Sequence, residues 1–144
     1  MQQALNIEFD SIARESDIVY TPEWVSEDIV KDFDLSGVCL DPCKGDGAFY
    51  KFLPEGSKYC ELREGTDFLK FNEKVEWIIG NPPYSIFEEF LQHSFSLANN
   101  VSFLVPTNKV FQRQLIMEMI NKWGGGEKRK NIWKWLFNRF SFWF

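Results

Sequence analysis

Histidine and cysteine are scarce in this chain, with one His and three Cys among 144 residues. The cysteines are odd in number, and no two form a C-x-x-C pair. Both facts argue against a disulfide framework or a structural zinc site, and they fit a reducing, cytoplasmic setting. No apolar run approaches the ~18 residues of a membrane span, so none is expected. Residues 1–17, MQQALNIEFDSIARESD, are acidic and lack the apolar core of a signal peptide. Positive charge is also short. Sixteen Lys and Arg stand against 21 Asp and Glu, a net charge of −5, which is a poor footprint for gripping phosphates.

What is present is ordinary globular material. Apolar residues make up 44% and charged residues 26% of the chain, which excludes disorder, collagen and coiled coil. The length suits one domain of ~100–150 residues. The average hides a division, however. Residues 1–123 carry 20 acids and 11 bases, whereas 124–144 carry one acid, five bases and seven aromatic residues. The two compositions meet at Gly124-Gly125-Gly126, so we read 1–123 as the core and 124–144 as a basic, aromatic tail.

Along the core, residues 1–20 show no strong periodicity and read as an irregular lead-in. Thr21-Pro22-Glu23 reads as a helix start, with Thr as cap and Pro at the first helical position. Trp24, Val25, Ile29, Val30 and Phe33 follow at helical spacing, which predicts a helix over 22–33. Val38-Cys39-Leu40 reads as a buried strand opening into the loop Asp41-Pro42-Cys43-Lys44-Gly45-Asp46-Gly47. A helix is expected from Ala48, carrying Phe49 and Phe52, and a second strand over 58–62. Residues 75–80, VEWIIG, are the clearest strand. Two prolines then forbid helix, and Ser85 to Glu88 has capping-box spacing, so a helix is expected from Ile86 with Phe87, Phe90, Leu91, Phe95 and Ala98 inward. A fourth strand is read over 101–105 and a last helix over 110–123. Strands alternating with helices predict an α/β fold with a parallel sheet. His93 reads as a surface residue, and Cys39 and Cys60 as small core residues.

Three pieces carry chemistry. The first is Asp41-Pro42-x-x-Gly45-x-Gly47-x-Phe49 directly after a strand, where α/β sheets bind ligands and glycine lets the backbone come close. It is not a P-loop, since no Gly-Lys-Ser/Thr follows, and Cys43 and Gly45 exclude an EF-hand. Without further context it is equally a plain strand-to-helix turn. The second is Asn81-Pro82-Pro83-Tyr84 at another strand end. It offers an amide, a rigid backbone and a ring, suited to a planar, hydrogen-bonding group, or else a proline turn with a packing tyrosine. The third is a pair of acids read at neighbouring strand ends, Glu61 and Asp67, able to accept from hydroxyls and amines. In isolation each reads first as a solvated surface charge.

In this order and spacing the pieces resemble the NPPY-type (γ-group) DNA N6-adenine methyltransferases, over roughly residues 18–123. TPEWVSEDIV is similar to their extra N-terminal motif, DPCKGDGAF to their cofactor loop, CELREGTDF to their two acidic motifs and IIGNPPY to their catalytic motif. The resemblance implies a Rossmann-like three-layer sandwich that uses S-adenosylmethionine and needs no metal. It implies that Asp41, Gly45 and Gly47, helped by Thr21 and Pro22, face the methionine part of the cofactor, and that Pro42 and Phe49 belong to the same cofactor site. Glu61 would accept from the ribose hydroxyls and Asp67 from the adenine amine. Asn81 Oδ1 and the Pro82 carbonyl would accept the hydrogens of a target amine, and Tyr84 would stack on a flipped base of double-stranded DNA. RNA and protein-glutamine methyltransferases share NPPY, so those acceptors stay open, as does an inactive remnant that binds cofactor or partner only.

The family sheet has seven strands, and this chain offers about four. The link from Glu61 to Asp67 is too short for a crossover helix, which needs roughly a dozen residues. The reading is therefore of an incomplete sheet with an exposed edge at 101–105 that invites homo-association. The tail reads as a foreign end to a shortened gene, as a basic aromatic helix with Trp133, Leu136, Phe137 and Phe140 on one face, or as a nucleic-acid or membrane-surface patch around Lys128, Arg129 and Lys130.

Overall fold

The computed structural model describes residues 20–106. Its elements are α1 (Glu23–Lys31), β1 (Cys39–Asp41), β2 (Lys58–Tyr59), β3 (Val75–Gly80), α2 (Phe87–Leu97) and β4 (Ala98–Phe103), with single 3-10 turns between them. The four strands form one all-parallel sheet in the order β2-β1-β3-β4. The chain is thus an α/β fold, as the alternation of strands and helices predicts. The predicted helix over 110–123, the tail from 124 and nearly all of the lead-in lie outside the described residues.

Both faces of the sheet are covered by apolar packing. Ile78 points into one core with Leu40, Phe68, Phe90 and Val101, under α2. Its neighbour Ile79 points into the other, with Val25, Ile29, Val30 and Phe49, under α1. Successive side chains of a strand face opposite ways, so a run such as Trp-Ile-Ile-Gly can supply both cores at once. Phe33 lies against Trp77 with ring centroids 5.1 Å apart, and Phe68 lies 4.8 Å from Phe90.

Several elements differ from the expectation. Pro22 sits at the N-cap with extended backbone, one place earlier than predicted, and its carbonyl accepts from Val25 N. The helix expected from Ala48 shrinks to one 3-10 turn, Tyr50–Phe52. Pro54 is the reason, because it forces the preceding Leu53 into extended backbone. The second strand is only Lys58–Tyr59. The capping-box reading shifts as well: a 3-10 turn occupies Tyr84–Ile86, and the N-cap of α2 is Ile86. The fourth strand starts at Ala98, directly at the end of α2, so Ala98 is a strand residue and Asn100 lies inside the strand. Phe87, Phe90 and Leu91 do face the core, joined by Ser94 and Leu97. His93 is half-buried rather than on the surface, with its ring centroid 5.0 Å from that of Phe68 in an edge-on arrangement and Nε2 2.8 Å from the Phe71 carbonyl. Cys39 and Cys60 are buried, as expected.

Candidate functional site

Chain segments leaving β1, β2 and β3 meet at the carboxyl ends of those strands and enclose a cleft of about 690 Å³. Gly45 and Phe49 line it from the first loop, Glu61 and Asp67 from the second, Asn81 and Pro83 from the third, and Thr21 from the segment before α1. Residues scattered over 60 positions of sequence are thereby brought to one place. Asp41, Pro22, Gly47, Pro82 and Tyr84 are not among its walls.

The first loop is pinned from below. Asp41 is 1% exposed, and its Oδ1 accepts from Cys43 N at 3.2 Å. Burial pushes its carboxyl up to about 7; the N–H groups of Cys43 and Tyr50 oppose the rise. The carboxyl therefore holds the loop from behind the cleft instead of facing into it. Gly80, at the end of β3, allows this arrangement. A Cβ there would stand 2.9 Å from Asp41 Oδ1 and 3.1 Å from Pro42 Cδ. Gly45 and Gly47 earn their places by left-handed backbone, with φ of 55° and 86°.

The acids do local work. Glu61 follows β2 and is 8% exposed. Its Oε2 accepts from Gly45 N at 2.7 Å, and Oε1 accepts from Arg63 N and Arg63 Nε, each at 3.1 Å. Burial works to raise its pKa, but those donors prevail and hold it below the usual carboxylate range. Asp67 stands at no strand end, contrary to expectation. The short link leaves it in the loop to β3, where Oδ1 accepts from Leu69 N at 3.1 Å and caps the turn Phe68–Lys70. Both acids are N-caps of 3-10 turns that also face the cleft.

Asn81 is half-buried, with Oδ1 itself buried. Its Nδ2 donates to Thr21 Oγ1 at 3.0 Å, so the Thr21 hydroxyl serves Asn81, and α1 has no side-chain cap. The Asn81 carbonyl accepts from Cys43 Sγ at 2.9 Å. Tyr84 packs against the core under α2, the arrangement of a packing tyrosine. Pro82 is buried.

Sequence reasoning missed Gly80, Arg63, Thr66 and the Cys43 link. Gly80 had a signal, since a glycine closing a buried strand marks close backbone approach. Arg63 and Thr66 had none, because nothing local shows that they fold back onto Glu61. Among the described residues no cluster of His, Cys, Asp and Glu could hold a metal ion, and no helix is long and apolar enough to cross a membrane. Comparison with known proteins returns no match, whether to a family model, a curated protein or a solved structure.

Proposed function

We propose that this chain binds S-adenosylmethionine in the cleft and transfers a methyl group to the exocyclic N6 amine of adenine in DNA. The observation that carries the reading is the convergence of Gly45, Glu61, Asp67 and Asn81 on one cleft beyond the carboxyl ends of three parallel strands. Its volume falls in the roughly 300–1,000 Å³ range of small-molecule clefts.

The acceptors in the cleft suit that cofactor. Glu61 Oε1 already accepts two N–H groups of Arg63, but Oε2 accepts only from Gly45 N, and a carboxylate oxygen has two acceptor sites, so Oε2 can still receive a hydroxyl group. Asp67 caps with Oδ1, and its carboxylate is an acceptor of the kind that receives an amine. Two acids beside a bound cation also favour the positive charge of a sulfonium. The cofactor, when bound, supplies an activated methyl group. The chain's part is then positioning more than strong acid-base chemistry. Asn81 Oδ1 and the Pro82 carbonyl accept the two hydrogens of the target amine, which frees the nitrogen lone pair from the ring. Asn81 Oδ1 is itself buried and Pro82 is a buried residue.

Calorimetry with S-adenosylmethionine, paired with methyl transfer to duplex DNA, RNA and protein, tests the reading. Asn81→Ala should lower transfer roughly 10²–10³-fold while leaving cofactor affinity within a few-fold. Asp67→Ala should weaken cofactor binding about tenfold. A chain that transfers with Asn81→Ala unchanged would sink the mechanism.

The burial of Asn81 Oδ1 and the packing of Tyr84 favour one second reading, a module that binds the cofactor without turnover. Saturable binding with no transfer to any of the three acceptors would select it.

A further inference from the structure

We propose that Thr21 and Cys43 form a two-point clamp that sets the orientation of Asn81. The inference deepens the reading of the cleft given above and rests on it for its kinetic consequence.

Asn81 is held from two segments remote in sequence. Its Nδ2 donates to Thr21 Oγ1 at 3.0 Å, and its carbonyl accepts from Cys43 Sγ at 2.9 Å. The first contact fixes the nitrogen end of the amide, and so the direction in which its oxygen points. The second fixes the peptide plane between Asn81 and Pro82, and so the direction of the chain into the Pro-Pro pair. Side chains are needed for this task. Pro82 and Pro83 have no N–H, so the backbone after Asn81 cannot anchor itself by donating to neighbouring segments.

Neither clamp residue is spent elsewhere. Thr21 precedes α1 but makes no cap for it. Cys43 is a free thiol whose side chain packs against the core under α2. Burial pushes the thiol well above its ordinary range, with Asp41, Glu61 and Cys60 adding to the rise. At neutral pH it therefore keeps its proton and acts as a donor. Cys43 also sits two residues before Gly45 in the loop that lines the cleft. The clamp thus joins the glycine loop and the segment before α1 to the amide proposed for the reaction.

The test compares Cys43→Ala with Cys43→Ser, and Thr21→Val with Thr21→Ser, in the full chain. The direct readouts are the Asn81 carbonyl ¹³C and side-chain ¹⁵N resonances. Cys43→Ala should move the carbonyl signal and Cys43→Ser should restore it, because the hydroxyl still donates. Thr21→Val should move the Nδ2 signal and Thr21→Ser should restore it. In turnover, Cys43→Ala and Thr21→Val should lower kcat about 10- to 100-fold, a larger loss than any they cause in S-adenosylmethionine affinity. Unmoved Asn81 signals overturn the clamp, as does a serine variant that fails to rescue. A kcat loss matched by an equal loss of cofactor affinity also overturns it. If Cys43→Ala does not fold, the Thr21 pair alone decides. If the unmodified chain methylates no acceptor, the functional reading fails, and the Asn81 signals still judge the clamp.

Discussion

Gly80 shows how one missing side chain shapes the site. β3 runs flush against the start of the first loop, and no Cβ fits between Gly80 and the Asp41-Pro42 pair. Neither neighbour yields easily, since Asp41 is buried and hydrogen-bonded and Pro42 is a rigid ring. Gly80→Ala should therefore destabilise the fold by about 1–3 kcal/mol, the usual cost of overpacking. Urea unfolding of the variant checks this, and an unchanged midpoint would refute it. At this scale the sequence was informative about residue type and poor about direction. The acids, the glycines and Asn81 were legible as candidates. That Glu61 would spend an oxygen on Gly45 depends on a chain segment 16 residues away, and that Asp41 would be buried against Gly80 depends on a strand still more remote.

Elements were legible where patterns ran long. Val75–Gly80 was bounded correctly because four of its six residues are large and apolar and a proline pair stops it. α1 is legible from the spacing of its apolar residues, and Val25, Ile29 and Val30 of that stripe are buried, whereas Trp24 is 62% exposed and Phe33 lies beyond the helix end at Lys31. Short elements were misjudged, since two or three residues carry too little pattern against turn chemistry. The link over 62–70 became two capped 3-10 turns, which agrees with its being too short for a crossover helix. α1 contributes to stability chiefly through Ile29, which is 2% exposed and packs in the core that includes Ile79 and Phe49. Ile29→Ala should cost about 2–5 kcal/mol. Chemical denaturation reads the loss, and a cost below ~1 kcal/mol would mean that the site collapses around the shorter side chain.

For the whole molecule, the most consequential group is Asp41. Its carboxyl is raised from 3.8 to about 7 by burial, with Glu61 adding to the rise and Lys44 opposing it. The folded chain therefore holds this proton more tightly than the unfolded chain. The resulting stabilisation is fully present below pH ~4 and is lost as pH rises through about 7. The shift corresponds to about 4 kcal/mol across that window. Asp41→Asn should remove this component, so its unfolding free energy should vary less between pH 5 and 8 than that of the original chain. Parallel urea titrations at several pH values decide the matter, and equal slopes would show that Asp41 does not govern the response.

The α/β class, the parallel sheet and the strand-end loops were settled by the sequence itself. Alternating apolar runs and helical stripes are local patterns, and parallel strands need crossovers of the length found here. Tertiary structure alone decided the strand order β2-β1-β3-β4, the convergence of Gly45, Glu61, Asp67 and Asn81 on one cleft, and the bonds from Thr21 and Cys43 to Asn81. Those contacts join segments whose sequences say nothing about one another. They follow from two apolar faces being buried together, which fixes where each loop must end.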